Sequence, residues 1–512
     1  MTFVVKNIGV LVFAAIFVFK ISLSLWQASP VFIDEILYAD ITAEISHHNK
    51  WQMRFPHMFH SYPTLYSASL SPSFILLKNL GMQTIYFGML LLNNVLSLIA
   101  AWAAFATVRF LQRRGSSKIF PWICAGLVLL WPTFAVYQIT LLSENLFIPL
   151  YLVSVFLLMK SLSKPNDKNR VTKHLAGIGF GIVIGILFSV RNVNGALLLP
   201  AALLVLAVYR QWKVLGLAAI GLIIGLALGL GPEYFWGAGK LHHYNGSRSQ
   251  IILALNWIRG NENGWWFVLE RICYSFLYPV LTTLIFPILA AFLCRRRMPA
   301  EWRAAWLFVW LGFVFLVPGC VLHTFSETPG NCDMLSRYYD PFVVGWVVLG
   351  LAALPKVKFN RNAWILFAGL LILALVLLIR VRFNWWMNTL PLAHLRLLKR
   401  NYPVLVYVFA GLLTAGSTTA AWLVIRRKWL TAIFLGLFSL SVLDIANAYH
   451  YRQYGVVMKK MNMEAQTLIG SKQHVKISRL ARQLTSKRSN NKVFLRLSVY
   501  FWTLDNPDFI VK

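Results

Sequence analysis

The sequence predicts an all-α integral membrane protein: a bundle of about thirteen transmembrane helices, with interfacial helices in its outer loops and a small outer tail at the C-terminus. Three observations carry this. Hydrophobic residues make up 58% of the 512, and charged residues only 13%, about half the usual share of a soluble domain. Mean hydropathy is +0.63, and a soluble chain could not cover so much apolar surface, which excludes soluble enzymes and disordered hubs. The apolar residues also fall in runs of about 20, the length that crosses a bilayer as a helix, separated by charged or Gly/Pro-rich breaks.

In chain order, the first run, 8–26, follows Lys6 and resembles a signal peptide. It is longer than a typical signal core and many runs follow it, so it reads as an uncleaved first span. A long outer segment, 27–83, comes next, then runs at 84–108, 119–138, 144–160, 174–190, 194–209 and 214–232. Beyond the outer segment 233–270 lie 271–294 and 303–322; beyond 323–340 lie 341–355, 363–380, 403–425 and 429–447. The short runs 144–160 and 341–355 leave the count open between eleven and fourteen. Residues 1–447 thus form the membrane domain. Residues 448–512 form a basic tail, with twelve Lys and Arg against three acids and an alternating stretch, Val493–Tyr500, suited to pairing as a strand in a small α/β unit. No internal repeat is visible.

The formal net charge of +32 suggests the positive-inside rule and anionic lipid headgroups as partners. No nucleic-acid-binding motif accompanies it, so nucleic acid is not an expected partner. With a cytoplasmic N-terminus, every inner loop is basic, from Arg109/Arg113/Arg114/Lys118 to Arg426/Arg427/Lys428. The outer segment 380–402 is basic as well; its Arg380-Val381-Arg382-Phe383-Asn384-Trp385-Trp386 reads as an interfacial helix gripping headgroups. Of the 17 acids, only Asp167 and Glu301 fall inside. Insertion sorts acids weakly, so this one-sidedness points to chemistry on the outer face, although longer outer loops account for part of it.

The first outer segment opens Val31-Phe32-Ile33-Asp34-Glu35-Ile36-Leu37-Tyr38-Ala39-Asp40. Apolar residues at 33, 36, 37 and 41 give a helical stripe, predicting a short interfacial helix with two carboxylates at its start. Carboxylates at a low-dielectric boundary are costly unless used or paired; the alternative is an acid pair favoured by the helix dipole. Metal binding is not expected. His47-His48 and His242-His243 lack ligand spacing, none of the five Cys forms a CxxC pair, and only Cys320 and Cys332 lie near one loop, where a disulfide could form.

With the segment Ser61-Tyr62-Pro63-Thr64-Leu65-Tyr66…Pro72, the Asp34-Glu35 pair resembles the polytopic lipid-phosphate-sugar glycosyltransferases of the GT-C fold. These include the protein O-mannosyltransferases and the aminoarabinose transferase that acts on lipid A. Leu141-Leu142-Ser143-Glu144-Asn145-Leu146-Phe147-Ile148-Pro149 is similar to that family's opening of a span, and Ser336-Arg337-Tyr338-Tyr339-Asp340-Pro341 to its Arg-Tyr-x-x-Pro segment. Ser189-Val190-Arg191-Asn192-Val193-Asn194-Gly195 is similar to its Thr-Arg-Pro-x-Gly turn, with Asn192 in place of Pro and Gly195 one residue late. The resemblance covers roughly residues 1–355.

It implies an inverting enzyme moving a sugar from a polyprenyl-phosphate donor. Some members of the family bind a metal near the site, but no matching ligands are identifiable in this sequence, and no cofactor is expected. Neither the sugar nor the acceptor carries over from the resemblance. No eukaryotic retrieval signal is seen, so the expected location is a bacterial inner membrane with the site facing the periplasm, and the expected acceptor a cell-envelope glycan or glycolipid of lipopolysaccharide or O-antigen type, or a protein. Asp34 takes the role of base, with Glu35 orienting it or binding a sugar hydroxyl and Glu144 as a second acidic wall. Arg337, Arg191, Lys240 and Arg248 are candidates for the donor phosphate, and Tyr62, Tyr66 and Tyr338 for substrate. Two rival readings are an O-antigen polymerase or ligase, expected to carry its large outer loops late in the chain, and a transporter or flippase of lipid-linked glycan, expected to show repeat symmetry.

Overall fold

The computed structural model describes residues 2–30, 33–48, 65–112, 118–163, 170–236, 247–282, 286–327, 336–357, 361–380 and 429–470, with a few isolated positions between 415 and 423. Every regular element among them is helical. In order these are α1 (Thr2–Leu25), α2 (Ile33–His48), α3 (Leu65–Leu77), α4 (Met82–Leu111), α5 (Phe120–Leu130), α6 (Pro132–Gln138), α7 (Glu144–Leu162), α8 (Arg170–Val190) and α9 (Asn192–Val208). They continue as α10 (Trp212–Trp236), α11 (Ser247–Gly260), α12 (Gly264–Thr282), α13 (Phe286–Cys294), α14 (Ala300–Glu327), α15 (Asp340–Ala353), α16 (Arg361–Arg380) and α17 (Trp429–Gly470). Six of the described helices, α1, α4, α7, α8, α10 and α14, are individually long and apolar enough to cross a membrane. The chain is an all-α membrane protein.

The structure divides two of the expected spans. The run 119–138 is the pair α5 and α6, bent by 66°. The cause is Pro132: it cannot donate to the preceding turn and drives Trp131 out of the helical region, to ψ 129. The run 271–294 is shared between α12, which starts earlier at Gly264, and α13. The run 403–425 falls largely, and the segments 381–400 and Val493–Tyr500 fall wholly, outside the described residues. At the other boundary, α17 passes 447/448 without a break, so the tail begins as a continuation of the last helix. Its 42 residues measure roughly 63 Å at ~1.5 Å per residue, about twice the ~30 Å of a hydrocarbon core.

The helix expected over Asp34–Glu35 is present as α2, enclosed by the rest of the protein. Residues 34–45 are buried all round, so α2 has no solvated face and is an internal element packed on α3. All fourteen residues of α15 are buried; this helix is the axis of the bundle, in contact with α4, α7, α13 and α14.

Two internal ties hold the outer ring. Lys20 in α1 donates to Asp444 in α17 at 2.5 Å, both fully buried, and to the carbonyl of Ala135 in α6 at 3.1 Å. One turn on, Ser24 donates to the carbonyl of Gln138 at 3.2 Å and Gln27 to that of Ala448 at 3.3 Å. The first and last described helices are thus joined through polar groups that hydrocarbon would otherwise strand. The second tie is steric. α8 and α10 meet backbone to backbone: a Cβ on Gly181 would overlap the carbonyl of Ala218, and one on Gly221 the carbonyl of Ile178. Small residues allow this approach where lipid supplies no hydrophobic drive between helices.

The contrast with Gly216, whose Cβ would meet nothing within 4 Å, gives a test. Gly221→Val should lower thermal stability in detergent by about 1–3 kcal/mol or more through overpacking, whereas Gly216→Val should be close to neutral. Equal melting temperatures for the two variants would contradict the packing described.

Candidate active site

α6 leads into Ile139–Ser143, an irregular stretch that is wholly buried. Non-helical backbone at such depth is tolerated only where other groups satisfy it. Three side chains do so. The carbonyl of Thr140 accepts from Asn93 Nδ2 and Asn145 Nδ2, each at 2.8 Å, and the amide of Leu141 donates to Glu35 Oε1 at 2.8 Å. Glu35 therefore ties α2 to the segment that delivers Glu144 to the start of α7. Tyr66 Oη donates to Asn93 Oδ1 at 3.0 Å, and its ring meets that of Tyr38 edge-on with centroids 5.1 Å apart. Tyr66, expected at the substrate, is thus fully buried in the scaffold under α2.

A second break carries Arg191. α8 ends at Val190, Arg191 is extended at φ −155 and ψ 95, and α9 starts at Asn192. The reversal brings α9 so near α8 that a Cβ on Gly195 would overlap the backbone of Phe188. That requirement explains a glycine here even one residue late. The third carrier is the turn Ser336–Tyr338, which precedes α15.

These breaks bring four charged side chains together. Arg337 Nη1 is paired with Asp34 Oδ2, and Arg337 Nε lies 2.9 Å from Glu144 Oε1. The same Glu144 oxygen receives Arg191 Nη1. The arrangement is a chain, Asp34–Arg337–Glu144–Arg191, neutral as a whole. The guanidinium of Arg191 stands 4.3 Å from the ring centre of Tyr338, a cation–π contact, and the carbonyl of Tyr338 accepts from Asn194 Nδ2 at 3.0 Å.

The side chain of Glu144 is 0% exposed, and those of Arg191, Asp34 and Arg337 are 8%, 9% and 12% exposed: the shared carboxylate is sealed and its partners are nearly so. Burial pulls the Arg337 guanidinium downward, but Glu144 and Asp34 more than offset it, so it is held well above its ordinary range and stays charged. Arg191 is likewise raised: burial pulls it down most strongly, and Glu144 together with Tyr338 and Tyr38 more than offsets that. Tyr38 stands one helical turn after Asp34, and burial pushes its hydroxyl well up, keeping it protonated beside the network.

Of the residues expected from the sequence, the structure joins Asp34, Glu144, Arg191 and Arg337, with Tyr338 against Arg191 and Glu35 one step behind. Lys240 and Tyr62 lie outside the described residues, as does the side chain of Arg248 in the first turn of α11. Cys332 and the pair His242-His243 also lie outside them. Among the described residues no group of three His, Cys, Asp or Glu is placed to hold a metal ion. The sequence reading passed over Tyr38, Asn93, Asn145 and the buried Arg271. Arg271 is on α12 one turn before Ser275, whose Oγ lies 2.9 Å from Tyr339 Oη. Asn93 and Arg271, polar residues set in apolar runs, carried a signal, since such residues mark functional paths by default.

Comparison with solved structures finds ArnT from Cupriavidus metallidurans in two states. The apo structure is 16% identical with a TM-score of 0.56, over 96% of this chain and 84% of that one. The structure bound to undecaprenyl phosphate is 15% identical with a TM-score of 0.57, over 98% of this chain and 88% of that one. No family model matches the chain, and no curated protein matches it at a significant level. The likeness is one of fold: the chain has the polytopic GT-C architecture.

The ion chain predicts an order of stabilities. Glu144→Ala leaves Arg191 and Arg337 facing each other without their shared carboxylate and should cost about 3–5 kcal/mol, as for other broken buried pairs. Asp34→Ala should cost less, because Arg337 keeps Glu144. Thermal unfolding of the purified variants checks this; an inverted order would mean that Glu144 is not the hub.

Proposed function

We propose that the chain is a membrane glycosyltransferase that moves one sugar from a polyprenyl-phosphate donor to a cell-envelope glycan or glycolipid on the outer face of a bacterial inner membrane. The observation that carries this reading is the convergence of two buried, charged arginines on two carboxylates. Arginine suits a phosphate leaving group through two parallel hydrogen bonds. The GT-C architecture adds support, since one of the two matched structures has undecaprenyl phosphate bound. The outer placement rests on the basic inner loops.

In the resting arrangement Arg337 occupies Asp34. A carboxylate paired with a guanidinium is a weak base. When the donor enters, its phosphate oxygens take N–H groups of Arg337 and Arg191, and Asp34 is released. The acceptor hydroxyl then gives its proton to Asp34, its oxygen attacks the anomeric carbon, and the carbon–oxygen bond to phosphate breaks with the electron pair leaving on the phosphate. One displacement inverts the anomeric centre. The charge growing on the phosphate is met by arginines already in position, the arrangement that lowers a barrier most. Glu144 keeps the two guanidiniums together, and Glu35 holds α2 so that Asp34 faces them.

Turnover by purified protein, given undecaprenyl-phosphate-linked sugars and envelope glycolipids, tests the reading. Asp34→Asn should lower turnover by about 10²–10⁴-fold, the range for loss of a general base, with the melting temperature little changed. Arg337→Lys should lose about 10- to 150-fold, the worth of one charge-assisted hydrogen bond, because Lys keeps the charge without the planar grip. Near-normal turnover in Asp34→Asn would remove Asp34 from the base role, and full activity in Arg337→Lys would remove the clamp.

A further inference from the structure

Asp340 lies outside the ion chain, yet it is 0% exposed. It opens α15 three residues after Arg337. Its Oδ1 accepts from Tyr278 Oη at 2.6 Å, and its Oδ2 accepts from Tyr137 Oη. The carboxyl group meets two phenol hydrogens at the opening of α15. The two phenols come from different elements: Tyr278 from α12, and Tyr137 from α6, immediately before the irregular stretch that leads to Glu144.

The neighbouring residues are fixed in the same manner. Tyr339 is hydrogen-bonded to Ser275 of α12 and to Cys320 of α14. The carbonyl of Tyr338 is held by Asn194 of α9. Three consecutive residues are thus tied to four helices, and Arg337 is the next residue back. Its guanidinium must span two partners, Asp34 on α2 and Glu144 on α7. The bond from Tyr137 matters most for that. It links the turn that carries Arg337 to the strand of chain that carries Glu144, so the separation between the clamp and its hub is set through Asp340.

We infer that Asp340 is a positioning residue for the arginine clamp: its two tyrosine bonds fix the Ser336–Tyr339 turn so that Arg337 stands between Asp34 and Glu144, where a lipid-linked phosphate binds. This rests on the proposed role of Arg337 toward that phosphate. Misplacing a binding group by about 1 Å can cost on the order of 10²-fold even when the change is remote from the chemistry. Asn at 340 keeps the shape but offers one acceptor oxygen in place of two, so one tyrosine hydroxyl loses its acceptor and must turn its hydrogen elsewhere.

The test is binding of undecaprenyl phosphate to the purified full chain in detergent micelles, measured for Asp340→Asn, Arg337→Ala and the double variant. Asp340→Asn should weaken binding by about 10-fold in the otherwise native chain and by less than about 2-fold in the Arg337→Ala background, because a positioning residue has nothing to position once its client is gone. A purely structural role would weaken both backgrounds equally. Equal losses in the two backgrounds, or native affinity in Asp340→Asn, overturn the inference while leaving the clamp standing. Native affinity in Arg337→Ala overturns the clamp, and the inference with it. If Asp340→Asn does not yield folded protein, Tyr137→Phe, which removes the bond toward the segment carrying Glu144, takes its place. The same pattern is expected at smaller amplitude, and the same results would overturn it.

Discussion

The candidate site depends on a rule of low-dielectric media: every backbone N–H and C=O removed from water must find a partner inside the protein. A continuous helix meets the rule by itself and has no groups left over for chemistry. This chain breaks its helices at 139–143, at Arg191 and before Asp340. Glu35, Asn93 and Asn145 satisfy backbone groups of the first break. The break at Arg191 closes on backbone, with Arg191 N donating to the carbonyl of Leu187 and Gly195 N to that of Arg191. Asn194 satisfies the carbonyl of Tyr338 at the third. The three breaks deliver Glu144, Arg191 and Arg337, the residues of the ion chain. The irregular segments are therefore both the points of greatest polar cost and the source of the functional side chains.

The second constraint is charge. A lone guanidinium or carboxylate inside such a bundle would cost several kcal/mol, so the site must be neutral before any ligand arrives. Alternation of Asp34, Arg337, Glu144 and Arg191 achieves that. On the proposed function, an anionic ligand would compete with the carboxylates for the arginines, and Glu144 would keep the two cations together while Arg337 leaves Asp34. Binding of a phosphate and liberation of a base would then be one event.

Much of this was legible beforehand. Composition and apolar run length fixed the class, because each span must be written out in residues that hydrocarbon accepts. The acid pair at 34–35 and the short segments around Glu144, Arg191 and Arg337 stood out through residue type at a boundary. What the sequence could not supply was depth and pairing. The apolar stripe of α2 reads as one-sided, yet its small and hydroxylated residues, Ala39, Thr42 and Ala43, are buried as well, because a helix can be roofed by other segments. The bend at Pro132 hid inside an unbroken apolar run. The four-residue spacing of Gly177-Gly181-Gly185 and Gly221-Gly225-Gly229 marks helices that can approach closely, but only the folded chain shows that Gly181 and Gly221 serve one contact. Lys20 and Asp444 lie 424 residues apart, and nothing local in either run announces the other.

The central claim is that the ion chain is a phosphate site held shut by its own carboxylates. The most direct measurement is an experimental structure of the full chain determined with and without undecaprenyl phosphate. The account predicts phosphate oxygens within hydrogen-bonding distance of Arg337 and Arg191, the Arg337–Asp34 pair opened, and Glu144 still joined to at least one arginine. A phosphate bound elsewhere, with the Asp34–Arg337 pair intact, would contradict it.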